Sequence, residues 1–232
     1  MENIDPLGHS TLETMSFAKW YNDWLLSLIE HYIGKTTLEV GSGIGNFTHL
    51  LESRSNVTAT DINKDYIRRL KRVRGTKTEA GFGDIEKNSF FFSKRKFDTI
   101  ICLNVLEHIK NDRKALNNMN SLLKKGGTLI LLVPAHGLLL GKFDKELGHY
   151  RRYSLGDIKK KLIINRFKIK EITYLNWWGA IGWFIFMKLL NKNYIPKLTV
   201  IAFDFLGKIF LLPERVIKPS FGLSVLAIAE KT

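Results

Sequence analysis

Apolar runs and amphipathic segments alternate along the chain, and this pattern predicts strands separated by helices. The apolar runs are short, which suits strands that are buried on both faces of a parallel sheet. The predicted strands are residues 38–40, 57–60, 77–84, 97–104, 128–134, 167–176 and 222–230. This order of elements predicts an α/β fold with a doubly wound sheet, whose binding site lies at the carboxyl ends of the strands.

Segments with apolar side chains every three or four residues stand before and between these strands and predict helices. The predicted helices are residues 16–32, a segment that contains Phe47, Leu50 and Leu51, residues 63–73, residues 111–124, and a helix that Ser154 and Asp157 cap. Gly126 and Gly127 are expected to end the helix at residues 111–124. Residues 1–15 are expected to be irregular and partly mobile.

Residues 177–221 stand between the last two strands and contain two apolar runs, residues 177–187 and 198–212. Neither run reaches the roughly 18–20 uncharged apolar residues of a membrane-spanning helix. Two interpretations stay open: a helical hairpin that covers the site, and a helix pair that lies in a membrane interface. The basic residues that fit both are Lys188, Lys192, Lys197, Lys208, Arg215 and Lys218. We expect one domain, residues 1–232, in which residues 177–221 form a helical insertion or lid.

Three glycines, Gly41, Gly43 and Gly45, follow the first strand, and Asp61 ends the second strand. Glycines let a ligand come close to the backbone, and a carboxylate at the strand end can hold ribose hydroxyls. The G-x-G-x-G spacing differs from the G-x-G-x-x-G of dinucleotide sites, which disfavours an NAD-dependent oxidoreductase. Glu39, two residues before the first glycine, would repel a pyrophosphate and suit a cation. The expected ligand is therefore a nucleoside that carries a positive charge.

The sequences LEVGSGIGNFT, FDTIICLNVLEHI and LLKKGGTLILLVP resemble motifs of class I SAM-dependent methyltransferases, and the resemblance spans about residues 16–176. It implies a Rossmann-like fold with a seven-stranded, mostly parallel sheet, one antiparallel strand, helices on both faces and a helical insertion before the last strand. It also implies S-adenosyl-L-methionine (SAM) as cofactor and S-adenosyl-L-homocysteine as product. The cofactor residues that it implies are Glu39, Gly41, Ser42, Gly43, Gly45, Asp61, Ile62, Asp84, Ile85 and Asn104. For Asp84, a bond from the adenine amino group and a plain role in a turn are both open.

Three histidines stand near strand ends and are candidate bases for an acceptor hydroxyl: His108, His136 and His149. His108 belongs to a VLEHI sequence found with many acceptors, which favours a structural or cofactor-side role as much as a catalytic one. The alternative for His136 is that it finishes its strand. His149, with the upstream Asp144, resembles the D-x-x-x-G-H-x-R-R-Y element of a bacterial and archaeal branch of the family. We expect no metal ion in the site.

The same element contains Arg151 and Arg152, followed by Tyr153. Adjacent guanidinium groups can bind a phosphate or carboxylate through forked hydrogen bonds, which predicts an anionic acceptor. The alternative is that both arginines pair with local acids and pin the loop. The predicted acceptor residues are Tyr21, Arg151, Arg152 and Tyr153. The apolar insertion next in sequence predicts a small or lipid-linked acceptor, with methylation on oxygen favoured.

The formal net charge of +14 favours an anionic partner without choosing among nucleic acid, phosphorylated metabolite and lipid surface. An RNA methyltransferase is the alternative enzyme, but nucleic acid is disfavoured because the sequence shows no common RNA-binding motif. A membrane-surface binding protein on a degenerate methyltransferase fold is the alternative without catalysis. The single cysteine, Cys102, and the polar start of the chain predict a cytoplasmic protein. Peripheral membrane contact through residues 177–221 follows only from the second interpretation of that segment. The sequence does not define the oligomeric state.

Overall fold

A computed structural model describes residues 6–73, 77–189 and 194–232 of the chain. Its strands are β1 Thr36–Val40, β2 Asn56–Asp61, β3 Glu79–Asp84, β4 Ser89–Phe90, β5 Phe97–Leu103, β6 Leu123–Pro134, β7 Phe167–Leu175 and β8 Ser224–Lys231. They form one sheet in the order β4-β3-β2-β1-β5-β6-β8-β7. Strands β3, β2, β1, β5 and β6 run parallel, whereas β8 runs antiparallel to both β6 and β7. The expected Rossmann-like sheet is confirmed, with the two-residue strand β4 as an unpredicted eighth member.

Helices pack on both faces of this sheet. They are α1 Pro6–Met15, α2 Lys19–Ile29, α3 Thr48–Leu51, α4 Lys64–Lys71, α5 Asp112–Leu122, α6 Lys142–Glu146, α7 Leu155–Ile164, α8 Trp177–Trp183 and α9 Lys197–Phe210. Successive residues of a strand point to opposite faces. Leu131 of β6 therefore joins the core under α5 and α7, and its neighbour Leu132 joins the core under α2 and α9.

Residues 6–15 form helix α1, where the sequence predicts irregular chain. The helix packs over the glycine turn, because the Leu12 carbonyl oxygen accepts a hydrogen bond from Asn46 Nδ2 at 2.9 Å. A Cβ on Gly43 would stand 3.2 Å from Leu12 Cδ1, so the two segments approach closely. This tertiary contact stabilises a short helix that local sequence alone would leave marginal.

Strand β6 begins at Leu123 instead of residue 128, so the prediction that Gly126 and Gly127 end helix α5 is wrong. Both glycines lie inside the strand. Leu123 pairs with Phe97 of β5, and the register of the two strands shifts immediately after that pair. The glycine pair lies in this irregular part of β6. The φ of Gly126 is 72°, a value that regular strand residues avoid.

The insertion between β7 and β8 is helical in its described part. It consists of α8, a π-helical turn Phe184–Leu189, helix α9 and a 3₁₀ turn Leu212–Arg215. The Leu223 N–H donates to the Asn176 carbonyl oxygen at 3.0 Å, so the insertion enters and leaves through one narrow neck. Of its basic residues, Lys192 lies outside the described residues. No described helix is both long enough and apolar enough to cross a bilayer.

Candidate active site

A cavity of about 1160 Å³ opens at the carboxyl ends of β1, β2, β3, β5 and β6. The glycine turn after β1 lines one end of the cavity, and the insertion lines the other end. The space is continuous. A ligand over the glycine turn and a second ligand under the insertion would therefore be neighbours.

The glycine turn is fixed to the end of β2 by Asp61. The Gly43 N–H donates to Asp61 Oδ2 at 2.8 Å, and the Asn63 N–H donates to Asp61 Oδ1 at 2.8 Å. At Gly41, a Cβ would stand 2.3 Å from Val105 Cγ2, and the φ of Gly41 is 74°, so a side chain is excluded there. Burial raises the pKa of Asp61, although these backbone donors act against the shift.

Glu39 places a second buried carboxylate beside the glycine turn, where it lines the cavity. Its Oε2 accepts a hydrogen bond from Thr48 Oγ1 of α3 at 2.6 Å. Burial raises the pKa of Glu39 to about 7, and the nearby charge of Asp61 acts in the same direction. A positively charged ligand in this end of the cavity would favour the ionised forms of both acids.

The other predicted cofactor residues that line the cavity are Ser42, Ile62, Asp84, Ile85 and Asn104. Asp84 also serves its turn, because its Oδ1 accepts the Lys87 N–H at 2.9 Å and its Oδ2 lies 3.2 Å from Lys87 Nζ. Gly45 does not line this cavity and instead lines a second pocket together with His49. The structure thus brings every predicted cofactor residue except Gly45 to one surface.

His149 and Arg152 meet at one buried carboxylate, that of Asp144. Asp144 Oδ1 lies 2.9 Å from His149 Nδ1 and accepts a hydrogen bond from Arg152 Nε at 2.8 Å. Burial alone would raise the pKa of Asp144, but His149 and Arg152 hold it below its ordinary value. The Arg152 guanidinium also lies 4.6 Å from the ring centroid of Trp183 in the insertion. These contacts fix the His149 ring and leave Nε2 as the nitrogen that Asp144 does not engage.

Glu107 and His108, which follow β5, line the cavity together with His149. The rings of His108 and His149 contact edge to face, with centroids 4.5 Å apart. Glu107 is 1% exposed, and its Oε2 has no hydrogen-bond partner within the described part of the chain. Burial raises the pKa of Glu107 to about 8. Two histidines and a carboxyl group with one oxygen unpartnered among the described residues therefore form a polar patch in the cavity.

Arg151, Tyr153 and His136 are not among the residues that line the cavity. Arg151 pairs with Asp112, whose Oδ2 lies 2.9 Å from its Nη1. Tyr153 belongs to the core and donates from its hydroxyl to the same Oδ2 at 3.0 Å. The His136 ring stacks on Tyr174 with centroids 4.8 Å apart. This arrangement favours the interpretation in which Arg151 stabilises the loop through its ion pair and His136 has a structural role at the end of its strand.

The insertion presents an apolar wall to the cavity. Its lining side chains include Trp178, Trp183, Phe186, Met187 and Phe203. Tyr21 of α2, a predicted acceptor residue, joins this wall, and its ring centroid lies 5.9 Å from that of Phe203. Burial raises the pKa of the Tyr21 hydroxyl, so this group stays neutral. The end of the cavity under the insertion is therefore apolar except near His149.

Three residues that line the cavity could not be identified as lining residues from the sequence: Leu12, Met15 and Glu107. Leu12 and Met15 of α1 line the cavity, yet their segment lacks a pattern that predicts a helix. Glu107 lies in a motif that the sequence associates with the family, but nothing in that motif shows that the carboxyl group is unpaired. Only the packing of separate segments places these residues at the site.

Residues 38–129 match a family model described as a methyltransferase domain. Malonyl-[acyl-carrier protein] O-methyltransferase 2 of Ilyobacter polytropus is 28% identical over 137 residues, which are 54% of this chain and 52% of that protein. A ubiquinone/menaquinone biosynthesis C-methyltransferase of Shewanella sp. (strain ANA-3) is 29% identical over 144 residues, which are 57% of each chain. The chain thus spans about half the length of the curated relatives that it matches.

The fold has a solved counterpart in phosphoethanolamine N-methyltransferase 2 of Haemonchus contortus, whose structure contains SAM. The TM-score is 0.62 at 17% identity, with 90% of this chain and 52% of that chain covered. At this identity the likeness shows the fold alone. The matched family segment, residues 38–129, ends before the D-x-x-x-G-H-x-R-R-Y element, which occupies residues 144–153. Motifs, strand order and family match agree: residues 38–129 match the methyltransferase-domain family, and the sheet has the Rossmann-like fold of class I SAM-dependent methyltransferases.

Proposed function

We propose that the chain transfers the methyl group of SAM to a hydroxyl oxygen of a small or lipid-linked acceptor. The observation that carries the proposal is the continuous cavity, which joins Glu39 and Asp61 at one end to His149 at the other. A cofactor and an acceptor bound at the two ends would meet between them. Direct transfer of a methyl group requires such an arrangement, because the acceptor atom must approach the methyl carbon in line with the bond that breaks.

The cofactor end has the chemistry that SAM requires. Asp61 accepts two backbone N–H groups and keeps further lone pairs that ribose hydroxyls can use. Glu39 is a second buried carboxyl group, and a sulfonium or ammonium ion nearby would favour its charged form. Two carboxylates beside the glycine turn would repel a pyrophosphate. This combination supports SAM over NAD.

The acceptor end has a histidine that a buried carboxylate orients. A histidine held in this way can take part in removing the proton of a hydroxyl group. In the transfer, the acceptor oxygen forms a bond to the methyl carbon while the carbon–sulfur bond breaks and leaves its electron pair on sulfur. One relative is named for O-methyl transfer and the other for C-methyl transfer. Similarity to these relatives therefore does not decide whether oxygen or carbon of the acceptor is methylated. The contact between His149 and Asp144 favours oxygen.

Residues 177–221 act in this proposal as a lid over the acceptor. Their aromatic wall excludes water and suits an apolar ligand. The predicted anionic group of the acceptor would have to bind near Arg152, because Arg151 faces Asp112 instead. Asp144 already balances the charge of Arg152. The anionic acceptor is therefore a prediction that rests on Arg152 alone.

The outer face of the lid supports a lipid-linked acceptor. Apolar side chains along one side of α9 are exposed and do not line the cavity, namely Ile201, Phe205 and Ile209. Both acids of the insertion, Asp204 and Glu214, accept backbone N–H groups at helix N-termini. Lys197 and Lys208 stand on α9 itself. An apolar stripe with basic neighbours fits an anionic bilayer surface, and we include peripheral contact with such a surface in the proposal.

Calorimetry of the purified chain with SAM, and separately with NAD, tests the cofactor. Binding of SAM without binding of NAD is the expected result, and tight NAD binding without SAM binding would contradict the proposal. Transfer of a labelled methyl group from SAM into an organic-extractable lipid fraction tests the acceptor class. Label that appears in added RNA and not in lipid would identify the RNA methyltransferase alternative.

A further inference from the structure

We infer that Glu107, His108 and His149 bind a divalent transition-metal ion at the polar patch of the cavity. The inference rests on the proposed function, because the ion would face the hydroxyl group of the acceptor. The three residues come from two separate segments, the turn after β5 and the loop after β6, which meet only in the fold. The sequence alone predicts no metal site, since it does not show this meeting.

The geometry of the three residues suits one ion. Each residue offers one ligand atom, and these atoms all lie within 4.8 Å of one another. In a tetrahedral zinc site, ligand atoms about 2.0–2.2 Å from the ion are about 3.4 Å apart. Side-chain rotations that shorten these separations by at most about 1.4 Å would close the set around an ion. Two imidazoles and one carboxylate form a donor set that zinc, iron and manganese use in proteins.

The buried Oε2 atom of Glu107 is an independent reason to expect a cation. Glu107 is 1% exposed and lines the cavity, and its Oε2 lacks a hydrogen-bond partner within the described residues. A buried polar atom without a partner costs free energy, and native structures rarely contain one without a reason. A metal ion bound to Oε2 would satisfy this atom and remove that cost.

Asp144 supplies the outer contact that metal-bound histidines usually have. Its Oδ1 lies 2.9 Å from His149 Nδ1, which leaves Nε2 to bind the ion. Arg152 balances the remaining charge of Asp144, with Nη2 2.8 Å from Oδ1. The Asp144 carboxylate thus fixes the orientation of His149 without binding the ion itself.

An ion with three protein ligands keeps at least one open position toward the cavity. A hydroxyl oxygen of the acceptor that binds there loses its proton to water more readily, because the ion stabilises the negative oxygen. This oxygen then attacks the methyl carbon as described above. In this arrangement His149 is a ligand and not a free base, so metal binding replaces direct proton removal by the histidine.

Metal binding to the purified 232-residue chain tests the inference. The chain is dialysed against a chelator and then titrated with Zn²⁺ or Mn²⁺ by calorimetry, and elemental analysis gives the stoichiometry. One ion per chain is expected. Glu107→Gln, His108→Ala and His149→Ala should each weaken binding by more than the roughly 10–100-fold that loss of an outer contact costs. Co²⁺ in place of Zn²⁺ should give visible absorption bands that the same variants lose.

The matched control is His49→Ala, because His49 is an exposed histidine 3.8 Å from Glu52 on the protein surface. Its substitution should leave metal binding unchanged, and an equal loss in this variant would overturn the inference. If Glu107→Gln fails to fold by circular dichroism, the two histidine variants decide. Titration with SAM on the same samples separates two failures. A chain that binds SAM but no metal overturns the metal site alone, whereas a chain that binds neither overturns the proposed function as well.

Discussion

The carboxylate of Asp204 in α9 accepts the backbone N–H of Tyr21 in α2, with Oδ1 2.8 Å from the nitrogen. Its Oδ2 accepts the N–H of Trp20 at 3.1 Å, so one side chain of the lid satisfies two donors at the start of α2. The N-cap residue of α2, Ala18, has no side chain that could do this. The lid is therefore joined to the helix beneath it by a cap that comes from a distant part of the sequence.

Asp204→Ala should loosen this joint. Loss of an N-terminal cap lowers the free energy of unfolding by roughly 1 kcal/mol. The amides of Trp20 and Tyr21 should exchange hydrogen faster, measured by mass spectrometry of deuterated peptides. Asp23→Ala removes an exposed aspartate from the same helix and is the control, with no change expected. Equal exchange at Tyr21 in Asp204→Ala and in the unmodified chain would show that the cap does not hold the lid.

Asp61→Asn should weaken SAM binding. The amide keeps one oxygen for the Gly43 N–H but loses the charge that strengthens a bond to ribose hydroxyls. Loss of a hydrogen bond to a charged group costs roughly 1.5–3 kcal/mol, which is about a 10- to 150-fold change in the dissociation constant. Calorimetry measures it, with Asp65→Asn on α4 as the control because Asp65 pairs with Arg68 outside the cavity. Unchanged affinity in Asp61→Asn would reject this placement of the ribose.

The buried carboxyl group of Glu39 should make both stability and SAM binding depend on pH. Burial raises the pKa of Glu39 from 4.5 to about 7. Between these values the folded chain binds a proton that the unfolded chain has released, so the free energy of unfolding from this group falls as pH rises through the window. The cationic cofactor needs the ionised form, so SAM affinity should rise with pH up to about 7 and then level off.

Glu39→Gln removes this titration and should flatten both pH curves. Denaturant unfolding measures the stability curve, and calorimetry over about pH 5–8 measures the affinity curve. Curves that keep the same shape in Glu39→Gln would show that another group causes the dependence.

Substitution of the two adjacent arginines should give different results. Arg151→Ala should lower stability while SAM binding and methyl transfer per folded chain stay intact, because its guanidinium pairs with Asp112 at 2.9 Å. Arg152→Ala should lower the free energy of unfolding by roughly 3–5 kcal/mol, because it breaks a buried ion pair with Asp144. Denaturation and transfer of a labelled methyl group measure the two effects. Loss of transfer in a well-folded Arg151→Ala chain would instead support acceptor binding by Arg151.

The double substitution of Phe205→Ser and Ile209→Ser should release the chain from anionic vesicles in a flotation assay. These side chains are 67% and 65% exposed on the outer face of α9. The matched control replaces Ile163 and Ile164 of α7 by serine, because they are 57% and 52% exposed and α7 packs on the opposite face of the sheet. Binding should also weaken at high salt. Equal binding of both double variants would rule out this surface.

The geometry around the glycine turn was predictable from sequence because its signals are local. Glu39, Gly41, Gly43 and Asp61 all lie within one strand–turn–helix–strand unit, so their spacing in sequence nearly fixes their spacing in the fold. The helix at residues 6–15 was not predictable in this way, because contacts with the glycine turn stabilise it.

The side-chain contacts at the proposed acceptor end could not be predicted from the sequence in the same way. Arg151 and Arg152 are adjacent, yet the backbone sends one guanidinium to Asp112 and the other to Asp144. A motif that lists the two residues side by side contains no sign of this divergence. The approach of Glu107 to His149 depends likewise on where two loops meet, which only the assembled sheet decides.

The neck at Asn176 and Leu223 separates the geometry of the insertion from that of the sheet. Strands β7 and β8 stay paired up to Leu175 and Ser224, so the whole lid departs from the sheet and returns to it at one point. A longer or shorter lid would leave that pairing intact, since the entropy of closing a loop grows only slowly with its length. In the proposed function, a change in this segment would therefore alter the acceptor site while the cofactor site, which lies on other strands, keeps its geometry.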